Sequence, residues 1–185
     1  IGWNEKAGIK EWFFGNLVDS LVAKTEKMIF LPRIVQPVST TRKLVLILPS
    51  YAEFEKGIVR LVKAISFLAK QTSADILVYS TEKTFQRLKY QVGELKININ
   101  LSHQNFDEWD DLLIIAKDVT KDDMLMLVSA RANSISYQIA LDKAPRRIFK
   151  YFSNNNMVVV YPEQNPDYQR AKGSFVMMKP PSNQA

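Results

Sequence analysis

The sequence predicts an α/β domain built on a parallel sheet with helices on both faces, and three observations carry that expectation. Residues 43–50, KLVLILPS, hold five apolar residues in a row between a basic residue and Pro49-Ser50. A run that short and continuously apolar, followed at once by a helical pattern, reads as a central strand buried on both faces. Similar runs recur at 75–79 (DILVY), 124–128 and 157–161 (MVVVY), separated by stretches of helical periodicity. Strands alternating with helices give a parallel sheet, because right-handed crossovers lay successive helices above or below it.

Taken in order, residues 10–25 place Phe14, Leu17, Val18, Leu21 and Val22 on one helical face. The apolar run 28–31 reads as a strand that stops at Pro32. Residues 37–42, opening on the second of two prolines (Pro32 and Pro37) and holding a Ser-Thr-Thr cluster, show neither period and read as a linker between 1–36 and a domain over 43–164. After the 43–50 strand, Ser50 with Glu53 forms a capping-box pattern opening a helix with Phe54, Ile58, Leu61, Val62, Ile65 and Leu68 on one face. Ser80 or Thr81 caps the next helix, with Phe85, Leu88 and Val92 inward and Gly93 at its end. Residues 95–101, LKININL, alternate as a half-exposed strand does. Asn105 with Glu108 resembles a cap, and Trp109, Leu112, Leu113, Ala116 and Val119 give another helical face.

Pro145 suits the first turn of a last helix through Ile148, Phe149 and Phe152, which the Asn154-Asn155-Asn156 triplet ends. Beyond Pro162 the chain is rich in proline, asparagine and lysine apart from 175–178, and 165–185 is expected to be a partly ordered tail. The domain thus has five strands and four helices. Ligands in such sheets bind at the carboxyl ends of the strands beside the switch point. That rim is made by Pro49, Ser50 and Tyr51 after the first strand and by 129–136 after the fourth, so Ser50, Ser129, Arg131, Ser134 and Ser136 are the candidate ligand contacts.

Composition narrows the function classes. The 185 residues are 46% apolar, enough for one well-buried domain. No stretch approaches the ~20 apolar residues of a membrane-spanning helix, and the start lacks a signal-peptide pattern. The absence of cysteine excludes disulfides, thiol nucleophiles and cysteine-bound zinc. The net charge of +6 comes from 25 basic residues scattered among 19 acidic ones, without the dense basic run a nucleic-acid groove needs. No nucleic-acid partner is therefore expected. The chain starts at Ile1 in what reads as the middle of something, so a longer parent protein is expected.

Catalytic machinery is not legible. His103 is the single histidine, reads as a loop residue, and has no G-x-S-x-G motif near it. Asp107, Glu108, Asp110 and Asp111 are oxygen donors of the type that suits Ca²⁺ or Mg²⁺, yet acidic residues in a first helical turn are what the helix dipole favours. Asp122 and Asp123 make a weaker version of the same pattern. Arg146 and Arg147 at a helix start, and Arg131 after the fourth strand, are phosphate-binding candidates for which surface ion pairs are the plainer explanation. No P-loop or G-x-G-x-x-G is present.

The order of elements over 43–162 resembles the universal stress protein fold, which implies a five-stranded parallel sheet of order 3-2-1-4-5. WFFGNLVDSLVAKTEKMIFLPRI, residues 12–34, resembles the last helix and strand of such a domain, with Gly15-Asn16 where a Gly-Ser pair would open the helix and Gly8 as a remnant glycine. On that resemblance 1–36 would be the end of a truncated first repeat. Together with VSAR (128–131) and MVVVYPEQ (157–164), the tandem arrangement resembles the cytoplasmic C-terminal region of bacterial monovalent cation/proton antiporters, the sodium/hydrogen exchangers.

This implies a transmembrane antiporter domain in the same chain, at the inner cell membrane, with this segment on the cytoplasmic side as a regulatory, non-catalytic module. A homodimer through an edge strand and a small anionic or nucleotide ligand at the rim are the further partners implied. Nucleotide-binding relatives carry an acidic residue after strand one and glycines after strand four. Here Pro49-Ser50 and a glycine-free 129–136 stand instead, so ATP in the usual mode is not expected, and no cofactor is. A free-standing nucleotide-binding stress protein is the alternative, and a hydrolase using His103 the weakest reading.

Overall fold

The structure is a computed structural model and describes residues 16–164. Gly8, Phe14, Gly15 and the 165–185 tail lie outside the described residues. In chain order come α1 (Asn16–Lys24), β1 (Ile29–Arg33), β2 (Lys43–Ile47), α2 (Ile58–Thr72), β3 (Asp75–Ser80), α3 (Glu82–Glu94), β4 (Leu101–Asn105), β5 (Asp123–Val128), α4 (Ala144–Tyr151) and β6 (Asn156–Tyr161). Short 3-10 turns occupy Val38–Thr40, Ala52–Phe54, Trp109–Lys117 and Ile139–Asp142. The sheet has six strands in the order β1-β6-β5-β2-β3-β4. Strands β2 to β6 are mutually parallel, and β1 pairs antiparallel with β6.

The continuous apolar runs are explained by a core on each side of the sheet. Val45, Ile47, Leu77, Tyr79, Leu125, Leu127, Met157 and Val159 pack on one face with Trp109, Leu112, Ile115, Ile148 and Phe152. Leu44, Leu46, Ile76, Val78, Met124, Met126, Val158 and Val160 pack on the other, under α2 and α3. Successive side chains of a strand point to opposite faces, so a strand covered on both sides must be apolar throughout. In α2 the buried residues Ile58, Leu61, Val62, Ile65 and Ala69 follow the helical three-four spacing.

Several expectations are corrected. The Ser50–Glu53 pattern does not open α2, which begins only at Ile58. Tyr51 sits in the left-handed region (φ 68°), which breaks any helical path from Ser50. Phe54 is exposed as a result, while Glu53 turns inward and accepts from Thr84 Oγ1 at 2.6 Å. Gly93 does not end α3, which runs to Glu94. The strand expected at 95–101 is β4 at Leu101–Asn105, because its position is set by pairing Ile76 with Leu101 through Ser80 with Asn105. Ile97 and Ile99 pack instead on the α2/α3 core.

The helix expected from Trp109 is a 3-10 turn. Its buried residues Trp109, Leu112 and Ile115 recur every third position, while Leu113 is exposed. Strand β1 runs through Pro32 to Arg33 and joins the same sheet as the strands after residue 43, so the sheet has six strands where five were expected. At the edge, proline's missing N–H leaves no ladder partner unpaired.

Buried polar groups fasten this arrangement. Arg33, 2% exposed, donates to the carbonyls of Phe152, Ser153 and Asn155 at 2.8, 2.7 and 3.0 Å and stacks over Phe149, holding the end of α4 against β1. Asn156 opens β6, and its side chain pairs with Val35 N–H, Gln36 N–H and the Gln36 carbonyl. The buried Tyr79 hydroxyl donates to Asp118.

Burial first, and the Asp118 bond second, push the Tyr79 phenol far above its ordinary value. A raised phenol contributes stability that is complete below the unfolded value of about 10 and is lost as pH rises beyond it. The urea midpoint is therefore expected to fall above about pH 10, and to fall less steeply in Tyr79→Phe. Parallel losses in both proteins would show that Tyr79 does not carry the effect.

Candidate functional site

The switch point lies between β2 and β5, whose neighbours diverge toward β3 and β6 respectively. All five sequence candidates lie on or beside this rim, and each is engaged within the chain. Ser50 Oγ donates to Asp107 at 3.1 Å. Ser129 is buried, its N–H bonds the Val160 carbonyl at 2.8 Å, and its hydroxyl reaches the Tyr161 phenol. Ser134 Oγ accepts from Arg131 N–H at 3.2 Å and meets Gln164 Oε1 at 3.3 Å. Ser136 is fully buried and gives both its N–H and its hydroxyl to Glu55 Oε1, at 3.1 and 2.6 Å.

The Arg131 guanidinium is committed to main-chain carbonyls. Nε donates to Val22 at 3.1 Å, one terminal nitrogen to Lys27 at 2.7 Å, and the other to Pro162. It thus ties the end of α1, the approach to β1 and the exit of β6 to the loop after β5. Burial lowers its pKa, opposed by Tyr161, Glu55 and Glu26.

The residue that sequence reasoning missed is Glu55. It is 4% exposed, and Gln164 Nε2 adds a third donor to its carboxylate at 3.3 Å. A backbone N–H, a hydroxyl and an amide converging on two carboxylate oxygens are the donor set that a bound anion would receive. The chain's own carboxylate occupies that set. Glu163, next to Gln164 in the chain, is 1% exposed and paired with Arg60 at 2.5 Å. Its backbone lies so close to Gly57 that a Cβ there would meet Glu163 N and O at 2.5 Å, which is why α2 starts on glycine. The alternation Glu53-Phe54-Glu55, with both carboxylates inward and the ring outward, was the only hint in the sequence.

What the rim does expose is apolar: Tyr51, Phe54, Ile135 and Ile139 are between 54% and 77% exposed. Tyr51 also carries strain, since a bulky side chain in the left-handed region is disfavoured. Tyr51→Gly is expected to raise stability by about 1 kcal/mol in urea titration; an unchanged or lowered value would mean that local packing of the ring outweighs the strain. Beside the rim runs a groove of about 770 Å³ between α1 and the 130–142 segment, with Asp19, Arg131, Tyr137, Asp142 and Tyr161 in its walls. Burial pushes the Tyr161 phenol up, while the Ser129 hydroxyl pulls it back.

Several of the remaining candidates make structural contacts. His103 is in β4 rather than a loop, stacked on Phe85 at 4.3 Å. Ser80 Oγ lies 3.4 Å from its Nε2 and Glu82 Oε2 3.2 Å from its Nδ1, in the order of a hydrolytic triad. Nε2 is closer to the Ser80 carbonyl, at 2.9 Å, and the Ser80 hydroxyl is fully buried and donates to Thr81 O. No substrate carbonyl can reach that oxygen in this conformation.

Asp110 pairs with Arg147 at 3.1 Å, and Arg147 also donates to the Trp109 and Asp110 carbonyls. Asp107 holds Ser50, and Asp122 and Asp123 pair with Arg42 and Lys43. The Asp111 side chain lies outside the described atoms. Among the described residues, no group of three metal-ligating side chains is assembled, and no helix is long and apolar enough to cross a membrane. No protein-family signature and no curated protein matches the chain.

Proposed function

We propose that this chain is a universal-stress-protein-like, non-catalytic regulatory domain on the cytoplasmic side of a monovalent cation/proton antiporter. The observation that carries the proposal is the filled switch point. Glu55 takes the Ser136 donors and Arg131 is committed to three carbonyls, so the groups a nucleotide would need are already used. The rim instead presents Tyr51, Phe54, Ile135 and Ile139, a surface suited to protein contact. Counted from β2, the parallel strands run 3-2-1-4-5 from β4 to β6, which supports the stress-protein-like reading. The experiment is deletion of residues 1–185 from the full-length transporter, followed by ion flux in vesicles. Transport should persist with an altered dependence on pH or ligand; unaltered regulation would overturn the proposal.

The groove beside Arg131 favours one second reading, a nucleotide-binding stress protein, because it is large enough for a small ligand and lies at the end of β5.

A further inference from the structure

The charges that alternate in sign along the sequence separate in three dimensions. Helices α2 and α3 lie side by side on one face of the sheet, so their outer sides are the solvent surface there. Lys56, just before α2, and Arg60, Lys63 and Lys70 within it are all exposed. On α3 the exposed basic residues are Lys83, Arg87 and Lys89. Against them the two helices expose only Glu82 and Glu94, because Glu53, Glu55 and Glu163 turn inward.

The stripe on α2 follows from helical spacing. At 3.6 residues per turn, Val59, Arg60, Lys63, Phe67 and Lys70 fall within an arc of about 100°, opposite the buried Leu61, Ile65 and Ala69. Arg60 is held by Glu163, but among the described residues no carboxylate lies within ion-pair distance of the other basic side chains of this layer. Elsewhere Arg42, Lys43 and Arg147 each have an aspartate partner. In the middle of the unpaired charge stands Phe67, 66% exposed between Lys63 and Lys70, with Val59 at 44% along the same stripe.

We infer that the outer face of α2 and α3 binds the surface of an anionic lipid bilayer. Each lysine or arginine brought within a Debye length, about 8 Å at physiological ionic strength, of anionic headgroups strengthens binding about fivefold. Phe67 and Val59 enter the boundary between headgroups and acyl chains, while the flanking lysine stems lie along it and leave their ammonium groups at the phosphates. Nucleic acid complements the same charge less well. A single strand needs successive free ring faces for its bases, yet Tyr90 carries the Arg87 guanidinium at 5.3 Å and Phe54 the Lys83 ammonium at 6.0 Å. A duplex offers Phe67 no apolar layer to enter.

The inference goes beyond the transport reading and does not need it, so it is tested on the 185-residue chain alone, by co-sedimentation with lipid vesicles. Vesicles of phosphatidylcholine with about a third phosphatidylglycerol should bind the chain, and pure phosphatidylcholine should not. Raising the salt from about 0.1 to 0.5 M should weaken binding at least tenfold. Lys63→Glu combined with Lys70→Glu should weaken it more than tenfold. Lys143→Glu combined with Lys150→Glu makes the same change in net charge at exposed positions on the α4 side of the sheet, and should bind within about threefold of wild type. Phe67→Ser should weaken binding about fivefold and leave its salt dependence unchanged. All of these side chains are exposed, and melting curves check that each variant is folded. No binding to the anionic vesicles overturns the inference, as does an equal loss in the two double variants or tighter binding to a DNA or RNA oligonucleotide than to the vesicles.

Discussion

Replacing Glu55 by alanine is expected to lower stability by about 3 kcal/mol, a fall in melting temperature of roughly 10 °C for a domain of this size. The substitution leaves the buried Ser136 N–H and hydroxyl without an acceptor, and an orphaned buried donor costs more than the bond itself contributed. Glu55→Gln keeps an oxygen facing Ser136, and the Gln164 amide can turn to present its own oxygen to the new NH₂. Its loss should be about 1 kcal/mol. Because alanine vacates an anion-shaped space lined by donors, formate or acetate should raise the melting temperature of Glu55→Ala and leave wild type unchanged. A Glu55→Ala protein as stable as wild type would show that the carboxylate is not held as described.

Arg131→Ala should cost a similar amount, about 3 kcal/mol, but the damage should be local. The guanidinium joins carbonyls at Val22, Lys27 and Pro162, so its loss frees the α1 and β1 side of the molecule from the β5 rim. Amide hydrogen exchange should accelerate through Asn16–Lys24 and Ile29–Arg33 while β2, β3 and β5 stay protected. Arg131→Lys should rescue little, because one ammonium cannot serve three carbonyls in the directions a planar fork reaches. Uniformly unchanged exchange would contradict the role.

The legible parts of the fold were those where burial alone fixes sequence. β2, β3, β5 and β6 are covered on both faces and so appear as unbroken apolar runs. β4 is an edge strand of sequence LSHQN, whose place is fixed by pairing with β3 rather than by its own composition, so alternation alone puts it too early in the chain, at 95–101. The Trp109 segment was ambiguous because apolar residues at 109, 112 and 115 satisfy a three-residue period as well as part of a 3.6-residue one. The start of α2 is not legible because a capping pattern at Ser50 carries no sign of the left-handed Tyr51 that cancels it.

The site divides in the same way. That Ser129, Arg131, Ser134 and Ser136 lie at the rim follows from where β5 ends, which the sequence reveals. What they bind does not, since their partners come from far along the chain: Glu55 is 81 residues from Ser136, and Val22 109 from Arg131. That Glu55 takes the Ser136 donors is visible only in the tertiary structure.

The most direct test of a self-filled switch point is isothermal titration of the chain with magnesium ATP and with cyclic dinucleotides. With Glu55 seated on Ser136 and Arg131 bound to carbonyls, wild type should give no saturable heat, and Arg131→Ala should give none either. Micromolar binding of any of these nucleotides by wild type, lost in Arg131→Ala, would contradict it.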